Sequence, residues 1–222
     1  MITIVRTLRR HPAVLLLAAQ MLGVLVFPFM SGPFGRAAIS LFGLVVLSVA
    51  VWAVRTTPAL TWVALLLGVP VAILTIAEAL VPTNVPLALA SAILHAAFYF
   101  YTSYGLIRYM FRDRRVTRDE LFATGATFTV VAWAFAYLFV ATQLVWPSSF
   151  VAAVNADQPR TWVELLFLSF TTLTSTGLGD VIPVVPQARA IVMTEQVAGV
   201  MYLALVVSRV VGLTLSATPE RE

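Results

Sequence analysis

Long apolar runs, separated by short polar or charged segments, make up most of the chain. A bilayer core about 30 Å thick needs about 20 residues of helix. Six runs approach or exceed this length, at residues 13–30, 37–54, 59–81, 86–111, 122–146 and 187–213. A further apolar run, Trp162–Leu173, covers only about 12 residues and is too short to cross. The pattern predicts an all-α polytopic membrane protein with six transmembrane helices and a re-entrant half-helix between the last two.

Composition and charge agree with this prediction. Of the 222 residues, 60% are hydrophobic and 11% are charged, and the absence of cysteine excludes disulfides and thiolate metal sites. All basic residues are Arg, and most become cytoplasmic if both termini are inside, as the positive-inside rule favours. We therefore expect a multi-pass protein of the cell (inner or plasma) membrane with both termini cytoplasmic. The net charge of +4 is attributed to topology and anionic lipid contact, and not to nucleic acid binding.

The runs divide the chain into two blocks. Residues 1–111 hold four spans, residues 112–121 form an Arg-rich cytoplasmic linker, residues 122–215 hold the remaining elements, and residues 216–222 form a short cytoplasmic tail. The fourth span contains one arginine, Arg108. Each charge that crosses the field contributes about 2.3 kcal/mol per 100 mV, so steep voltage sensing needs several. Strong voltage dependence is not expected, and the sequence leaves the stimulus open.

The most informative stretch is TWVELLFLSFTTLTSTGLGDVIP, at residues 161–183. Thr161 and Glu164 form a capping-box pattern, which predicts a helix over residues 161–173. Gly177 and Gly179 end this regular structure, because glycine adopts backbone angles that other residues avoid. Irregular backbone at membrane depth is tolerated only where it is buried in protein or lines a watery path. The loop after the half-helix is therefore a candidate for such a path.

Glycines that alternate with larger residues allow successive carbonyl groups of this loop to face one axis. Stacked carbonyls of this kind can replace the water shell of a desolvated monovalent cation. The carbonyl end of the preceding half-helix carries a partial negative charge, which favours a cation just beyond it. One loop supplies one set of carbonyls, and a ring around an ion needs about four. The prediction is therefore a homotetramer around a central pore.

The loop resembles the pore module of potassium channels, whose signature is T-x-x-T-T-V-G-Y-G-D followed by x-x-P. The matching residues are Thr174, Gly177, Gly179, Asp180 and Pro183. Farther along, the stretch ARAIVMTEQVAGVMYLALVVSRVVG resembles the pore-lining inner helix of the small bacterial two-transmembrane-type ion channel family.

The resemblance implies a pore domain with an outer helix, a pore helix at 161–173, a filter at 174–180 and an inner helix at 187–213. The first four spans would then occupy the position of a voltage-sensor block. It also implies a channel that selects or prefers K⁺, needs no cofactor and is not an enzyme. The implied site consists of filter residues Thr174, Ser175, Thr176, Gly177, Leu178 and Gly179, with K⁺ on the carbonyls of the middle four, Asp180 at the outer mouth and Gly199 as gating hinge.

Several residues depart from the potassium channel pattern. Leu178 stands where Tyr is usual, although Gly-Leu-Gly also occurs in the second pore loop of some two-pore-domain potassium channels. Thr176 replaces the usual Val and adds a hydroxyl that needs a partner, and Ser175 replaces Thr. In the pore helix, Phe167 and Leu168 occupy the common Trp-Trp pair, and Phe cannot hydrogen-bond an Asp at the outer mouth. We expect a filter held less rigidly, with looser selectivity or gating at the filter.

Glu195, Glu78 and His95 are ionisable residues inside predicted spans, where such residues are functional candidates. Glu195 is one turn before the predicted hinge. It either supports the filter from behind, together with Phe167 and Thr171, or faces the cavity and attracts cations. Its expected partners behind the filter are Thr171, Ser175 or Thr176. Glu78 and His95 are placed to approach each other and are candidates for pH sensing.

Three alternatives to a potassium channel follow from the same residues. The altered filter is compatible with a nonselective monovalent cation channel or with a nonconducting, channel-like membrane scaffold. The G-x-G-D motif also occurs in intramembrane aspartyl proteases, but that chemistry needs a second carboxylate that shares a proton with the first. The remaining Asp residues, Asp113, Asp119 and Asp157, all fall in predicted loops, so an enzyme is not expected.

Overall fold

The computed structural model describes residues 12–29, 42–43, 45–46, 48–52, 58–81, 83–111 and 118–216. The helices are α1 (Pro12–Val26), α2 (Pro58–Leu80), α3 (Val85–Met110), α4 (Arg118–Val145), α5 (Trp162–Leu173) and α6 (Pro186–Ser216). A 3₁₀ turn, Phe27–Phe29, follows α1, and residues 42–43, 45–46 and 48–52 are also helical. The two strands are β1 (Phe150–Ala152) and β2 (Val181–Pro183).

Four helices in the described part of the chain are long and apolar enough to cross a membrane. These segments are Thr61–Leu80, Val85–Met110, Glu120–Val145 and Pro186–Arg209. The first predicted span, residues 13–30, is instead a helix of 15 residues followed by a 3₁₀ turn. Pro28 has no backbone N–H and disfavours the helical conformation of the residue before it, which accounts for the early end. Much of the second predicted span, residues 37–54, lies outside the described residues.

The segment between α3 and α4 is shorter than the sequence suggests. Residues 118–121, assigned to the linker at 112–121, form the first turn of α4, which begins at Arg118. Residues 112–117 of the linker and residues 217–222 of the predicted tail lie outside the described part.

A small antiparallel sheet adds to the predicted all-α fold. Strand β1 pairs with β2, with Phe150 opposite Pro183 and Ala152 opposite Val181. Each strand has three residues, which is too short for a periodic signal in the sequence. The sheet joins the end of the loop at 174–180 to the segment that follows α4.

Side-chain caps fix the first turns of two helices. Asn84 caps α3, where its Oδ1 accepts a hydrogen bond from the Leu87 backbone N–H at 3.0 Å. The predicted capping box of α5 is confirmed: the Thr161 hydroxyl accepts from the Glu164 N–H, and the Glu164 carboxylate accepts from the Thr161 N–H at 2.7 Å. Both caps satisfy N–H groups that have no partner within their own helix.

Helix α4 lies at the centre of the packing and contacts α1, α3, α5 and α6. One buried core joins α1, α3, α4 and α5, and it includes Leu16, Phe98, Tyr99, Trp133 and Leu166. The buried positions of α6 recur every three or four residues, at Ala188, Val192, Glu195 and Gly199. The opposite face is exposed and apolar, with Met193, Val197, Met201 and Leu205 on it. A single chain therefore leaves a long apolar surface of α6 without a protein partner.

Candidate functional site

The loop at 174–180 begins on the last turn of α5. The backbone N–H groups of residues 174–177 donate hydrogen bonds to the carbonyl oxygens of Phe170, Thr171 and Thr172, with N···O distances from 2.8 to 3.1 Å. Thr171 O accepts two of them, from Thr176 and Gly177. These bonds satisfy carbonyls that have no partner within α5. They also direct the N–H side of the loop toward the helix.

The backbone of this loop alternates in handedness. The φ angles are +57° at Ser175, +60° at Gly177 and +78° at Gly179, while Thr176 and Leu178 do not have positive φ. Alternating left- and right-handed conformations turn successive N–H groups toward one side of the chain, which leaves the carbonyl oxygens on the other. All residues from 174 to 180 are exposed in a single chain. The carbonyls are therefore accessible on the side away from α5.

Glycine and serine tolerate this backbone differently. Gly177 and Gly179 have no Cβ and adopt a positive φ without steric cost. Ser175 is not glycine, and a left-handed conformation costs such a residue about 1–2 kcal/mol. Such strain is retained where the surroundings enforce it, and it is concentrated at functional sites. Here the enforcing contact is the 2.9 Å hydrogen bond from the Ser175 N–H to Thr172 O.

Two threonine hydroxyls interact beside the loop. Thr174 Oγ1 donates to Phe170 O at 2.7 Å and lies 2.7 Å from Thr176 Oγ1. The sequence analysis expected a hydrogen-bond partner for the Thr176 hydroxyl, and the Thr174 hydroxyl is that partner. Leu178 is 59% exposed and has no polar group that could brace the loop.

The outer end of the loop borders an open cleft. The cleft has a volume of about 580 Å³, and its lining includes Thr161, Glu164, Phe167 and Asp180. Phe167 is 40% exposed and has no hydrogen-bonding group. Among the described residues of one chain, no donor forms a hydrogen bond or ion pair with the Asp180 carboxylate. This geometry agrees with the expectation that Phe167 cannot fix Asp180.

Arg160 stabilises the segment that precedes α5, a role that sequence reasoning missed. It is 4% exposed, and its guanidinium forms an ion pair with Glu164 at 3.1 Å and donates to the carbonyl oxygen of Val154 at 3.1 Å. Its backbone N–H and carbonyl bond the side chain of Gln143 at 2.7 and 3.0 Å, which ties the start of α5 to the end of α4. The spacing of four residues between Arg160 and Glu164 was a usable signal.

The ion pair and the cap change the acidity of Glu164. Partial burial by itself would raise the pKa of this carboxyl. The hydrogen bonds from Thr161 and the charge of Arg160 outweigh that effect, so the pKa lies below its ordinary value of 4.5. Glu164 is therefore ionised near neutral pH and stays bonded to the first turn of α5.

Glu195 lies behind the loop in the interior of the chain, with no exposed surface. Its Oε1 contacts the Ser169 hydroxyl. Ser169 thus takes the place of the partners predicted from the sequence; the Thr171 hydroxyl donates to Leu168 O instead. Ser169 lies two residues before Thr171 on α5, on the side that faces α6. The alternative in which Glu195 faces the cavity does not agree with its complete burial.

Gly199 packs its backbone against the last residue of α5. A Cβ atom on Gly199 would overlap the carbonyl oxygen of Leu173 and would lie 2.9 Å from its carbonyl carbon. Leu173 is the last residue of α5 and precedes the loop directly. Glycine is thus needed here for packing. The hinge role implied by the resemblance stays a prediction.

Comparison with known proteins gives one match. Residues 124–215 match the family model described as ion channel. We refer to this matched segment as the ion channel domain. It contains most of α4, all of α5, the loop at 174–180 and nearly all of α6. This match and the four helices that are long and apolar enough to cross a membrane support a membrane protein. No curated protein and no solved structure matches the chain.

The N-terminal helices contact the ion channel domain through aromatic rings near the start of α5. The rings of His95 on α3 and Tyr137 on α4 are stacked, with their centroids 4.3 Å apart. The ring centroids of Tyr137 and Trp162 are 5.7 Å apart. His95 Nδ1 lies 2.8 Å from Ser91 O, and its Nε2 lies 3.3 Å from the Thr75 hydroxyl of α2. No hydrogen bond or ion pair joins Glu78 to His95 among the described residues, so their expected approach and a role in pH sensing stay predictions.

A second contact lies at the other end of the ion channel domain. Arg209 of α6 forms an ion pair with Glu120 of α4 at 3.2 Å, and both side chains are largely buried. The Arg209 guanidinium also lies 4.9 Å from the ring centroid of Phe111, directly after α3. One arginine of α6 thus contacts both α4 and the end of the N-terminal block.

Proposed function

We propose that the protein is an ion channel of the cell membrane that selects or prefers K⁺ and conducts it through the backbone carbonyls of residues 175–178. The observation that carries the proposal is the alternating φ of the loop, together with the hydrogen bonds that direct its N–H groups toward α5. Carbonyls on the opposite side can replace the hydration shell of a monovalent cation.

The proposal includes a homotetramer with the loop at its axis. One loop provides one set of carbonyls, and a ring around an ion needs about four. Two features of the single chain support further assembly: the exposed apolar face of α6 and the exposed side chain of Leu178. In the tetramer, part of the α6 face lines the cavity, and lipids cover the outer surface of the helices. Both termini are proposed to be cytoplasmic.

Reversal potential tests conduction and selectivity together. The purified protein is placed in a planar bilayer with K⁺ on one side and Na⁺ on the other. A reversal near the K⁺ equilibrium potential is expected. Gly177→Ala should abolish this current, because alanine at a φ of +60° is strained by about 1–2 kcal/mol. Gly68→Ala is the matched control: its Cβ meets only ordinary contacts, the nearest at 3.4 Å.

Two outcomes would favour other functions. A reversal near zero that Gly177→Ala still abolishes would indicate a nonselective cation channel, which the exposed Leu178 and unfixed Asp180 favour. Absence of current across a range of pH, membrane tension and lipid would instead indicate a nonconducting scaffold. A current that Gly177→Ala leaves unchanged would refute conduction through this loop.

A further inference from the structure

A buried polar contact joins α4, α5 and α6 behind the loop at 174–180. The Ser169 hydroxyl of α5 lies 2.8 Å from the carbonyl oxygen of Ala132 on α4 and also contacts Glu195 Oε1 on α6. Neither Ser169 nor Glu195 has exposed surface. Each group therefore depends on the others for its hydrogen bonds.

The two contacts of the Ser169 hydroxyl need more than the one proton that Ser169 carries. A serine hydroxyl donates one hydrogen bond, and a backbone carbonyl can only accept. If Ser169 donates to Ala132 O, a hydrogen bond between Ser169 and Glu195 needs its proton from Glu195. An ionised carboxylate has no proton to give. Both contacts are full two-centre hydrogen bonds at once only when Glu195 is a neutral acid.

The surroundings of Glu195 favour the same state. Among the described residues, Glu195 has no ion pair, and its Oε2 is buried without a hydrogen-bond partner. A buried carboxylate without a cation or several donors is strongly destabilising, whereas a neutral acid needs less compensation. The absence of a cation and the pair of oxygen contacts at Ser169 are independent observations.

We propose that Glu195 retains a proton and donates it in a hydrogen bond to Ser169, which in turn donates to Ala132 O. Glu195 is thus a positioning residue for the loop at 174–180. The proton itself follows from the contact geometry, and its effect on ion selectivity rests on the proposed channel function.

The position of the contact explains why the loop depends on it. Ser169 is one helical turn before Leu173, and Glu195 is one turn before Gly199. The two pairs, Ser169 with Glu195 and Leu173 with Gly199, are successive contacts along the same crossing of α5 and α6. Loss of the hydrogen bond would loosen the turn of α5 whose carbonyls hold residues 174–177.

Infrared spectroscopy of the purified full-length protein at pH 7 tests the proton directly. A carboxylic acid has a C=O stretching band that an ionised carboxylate lacks. We expect Glu195→Gln to remove such a band from the wild-type spectrum. Ser169→Ala should shift the same band to higher frequency, because the acid loses its acceptor. Glu78→Gln, in another helix, should leave that band in place.

A second readout follows the consequence for the loop. Glu195→Ala leaves Ser169 without its donor, and should lower the folded-to-unfolded ratio about tenfold and move the reversal potential toward zero. Glu195→Gln retains a donor N–H, so its folded-to-unfolded ratio and its reversal potential should both stay close to those of the wild-type protein.

Failure of this inference is distinguishable from failure of the channel function. If Glu195→Gln removes no acid band, or if Ser169→Ala does not shift it, the proposed proton is refuted, whatever the currents show. If the wild-type protein passes no current but both infrared changes occur, the proton stands and the channel function fails. If Glu195→Gln does not fold, Ser169→Ala alone tests the proposal: a shift of the acid band to higher frequency supports the proton on Glu195, and an unshifted band refutes it.

Discussion

Substitution of Gly199 separates two explanations for a glycine in the middle of α6. The packing explanation predicts that Gly199→Ala destabilises the protein and disturbs the loop at 174–180. The added Cβ would overlap Leu173 O and lie 2.9 and 3.1 Å from the carbonyl carbon and Cα of Leu173. These are backbone atoms at the end of α5, so no side-chain rotation can make room.

The expected magnitude combines two opposing effects. An extra methyl group in a tightly packed interior costs about 1–3 kcal/mol, and the upper part of this range applies because the overlap is with backbone. Alanine is the better helix former by about 1 kcal/mol. We therefore expect a net loss of about 1–2 kcal/mol, which lowers the ratio of folded to unfolded protein roughly 5- to 30-fold.

Three helical glycines provide a graded assay by unfolding in detergent micelles. Gly199→Ala should lower the midpoint. Gly125→Ala, whose Cβ would lie 3.0 Å from a terminal carbon of Leu17, meets a flexible side chain and should change the midpoint little. Gly68→Ala meets only contacts of 3.4 Å or more and should be neutral or stabilising.

The hinge explanation makes the opposite prediction for Gly199→Ala. It predicts an unchanged unfolding midpoint and unchanged ion selectivity, with a change confined to the probability that the channel is open. That combination of results would refute the packing argument. Equal destabilisation by all three substitutions would also refute it, because the effect would then not depend on the atoms that the Cβ meets.

Three further predictions concern charge and backbone strain around the ion channel domain. Glu120→Gln should lower the free energy of unfolding by about 1.5–3 kcal/mol, because it removes a charge-assisted contact to the largely buried Arg209. Additivity with Arg209→Gln in a double-mutant cycle would contradict this. Ser175→Gly should be about 0.5–1 kcal/mol more stable than Ser175→Ala in chemical unfolding, because only alanine is strained at a φ of +57°. The depressed pKa of Glu164 stabilises the fold above about pH 4.5, and this stabilisation should disappear as the pH falls through the folded-state pKa. Glu164→Gln should therefore make the unfolding midpoint depend less on pH. If the variant and the wild-type protein have the same pH profile of the unfolding midpoint, the prediction is refuted.

Sequence patterns predicted those elements whose signals are local. Uninterrupted apolar length was sufficient for the four long helices in the described part of the chain. The capping box placed the start of α5 at Thr161, and the glycine spacing indicated unusual backbone angles at Gly177 and Gly179, where φ is positive. Each of these features depends on residues that are close together in the chain.

Contacts between distant residues were predicted less well. One of the two sequence-based alternatives placed Glu195 behind the loop, but its partner Ser169 depends on how α5 and α6 cross, which no local pattern specifies. No local pattern singled out Arg160, yet it is buried against several carbonyls of a loop without regular structure. Strands of three residues likewise have no periodicity to detect.

The supports of the loop are distributed unevenly between its two ends. At the inner end, residues 174–177 bond the last carbonyls of α5, and that turn of α5 is held by Glu195 and by the close contact of Gly199. At the outer end, Leu178 and Asp180 are exposed, and Phe167 offers no hydrogen bond. A single chain therefore stabilises the inner carbonyls more than the outer ones. In the proposed channel, we therefore expect conformational change of the loop to begin at Leu178 and Gly179, and substitutions there to alter ion selectivity with little effect on unfolding.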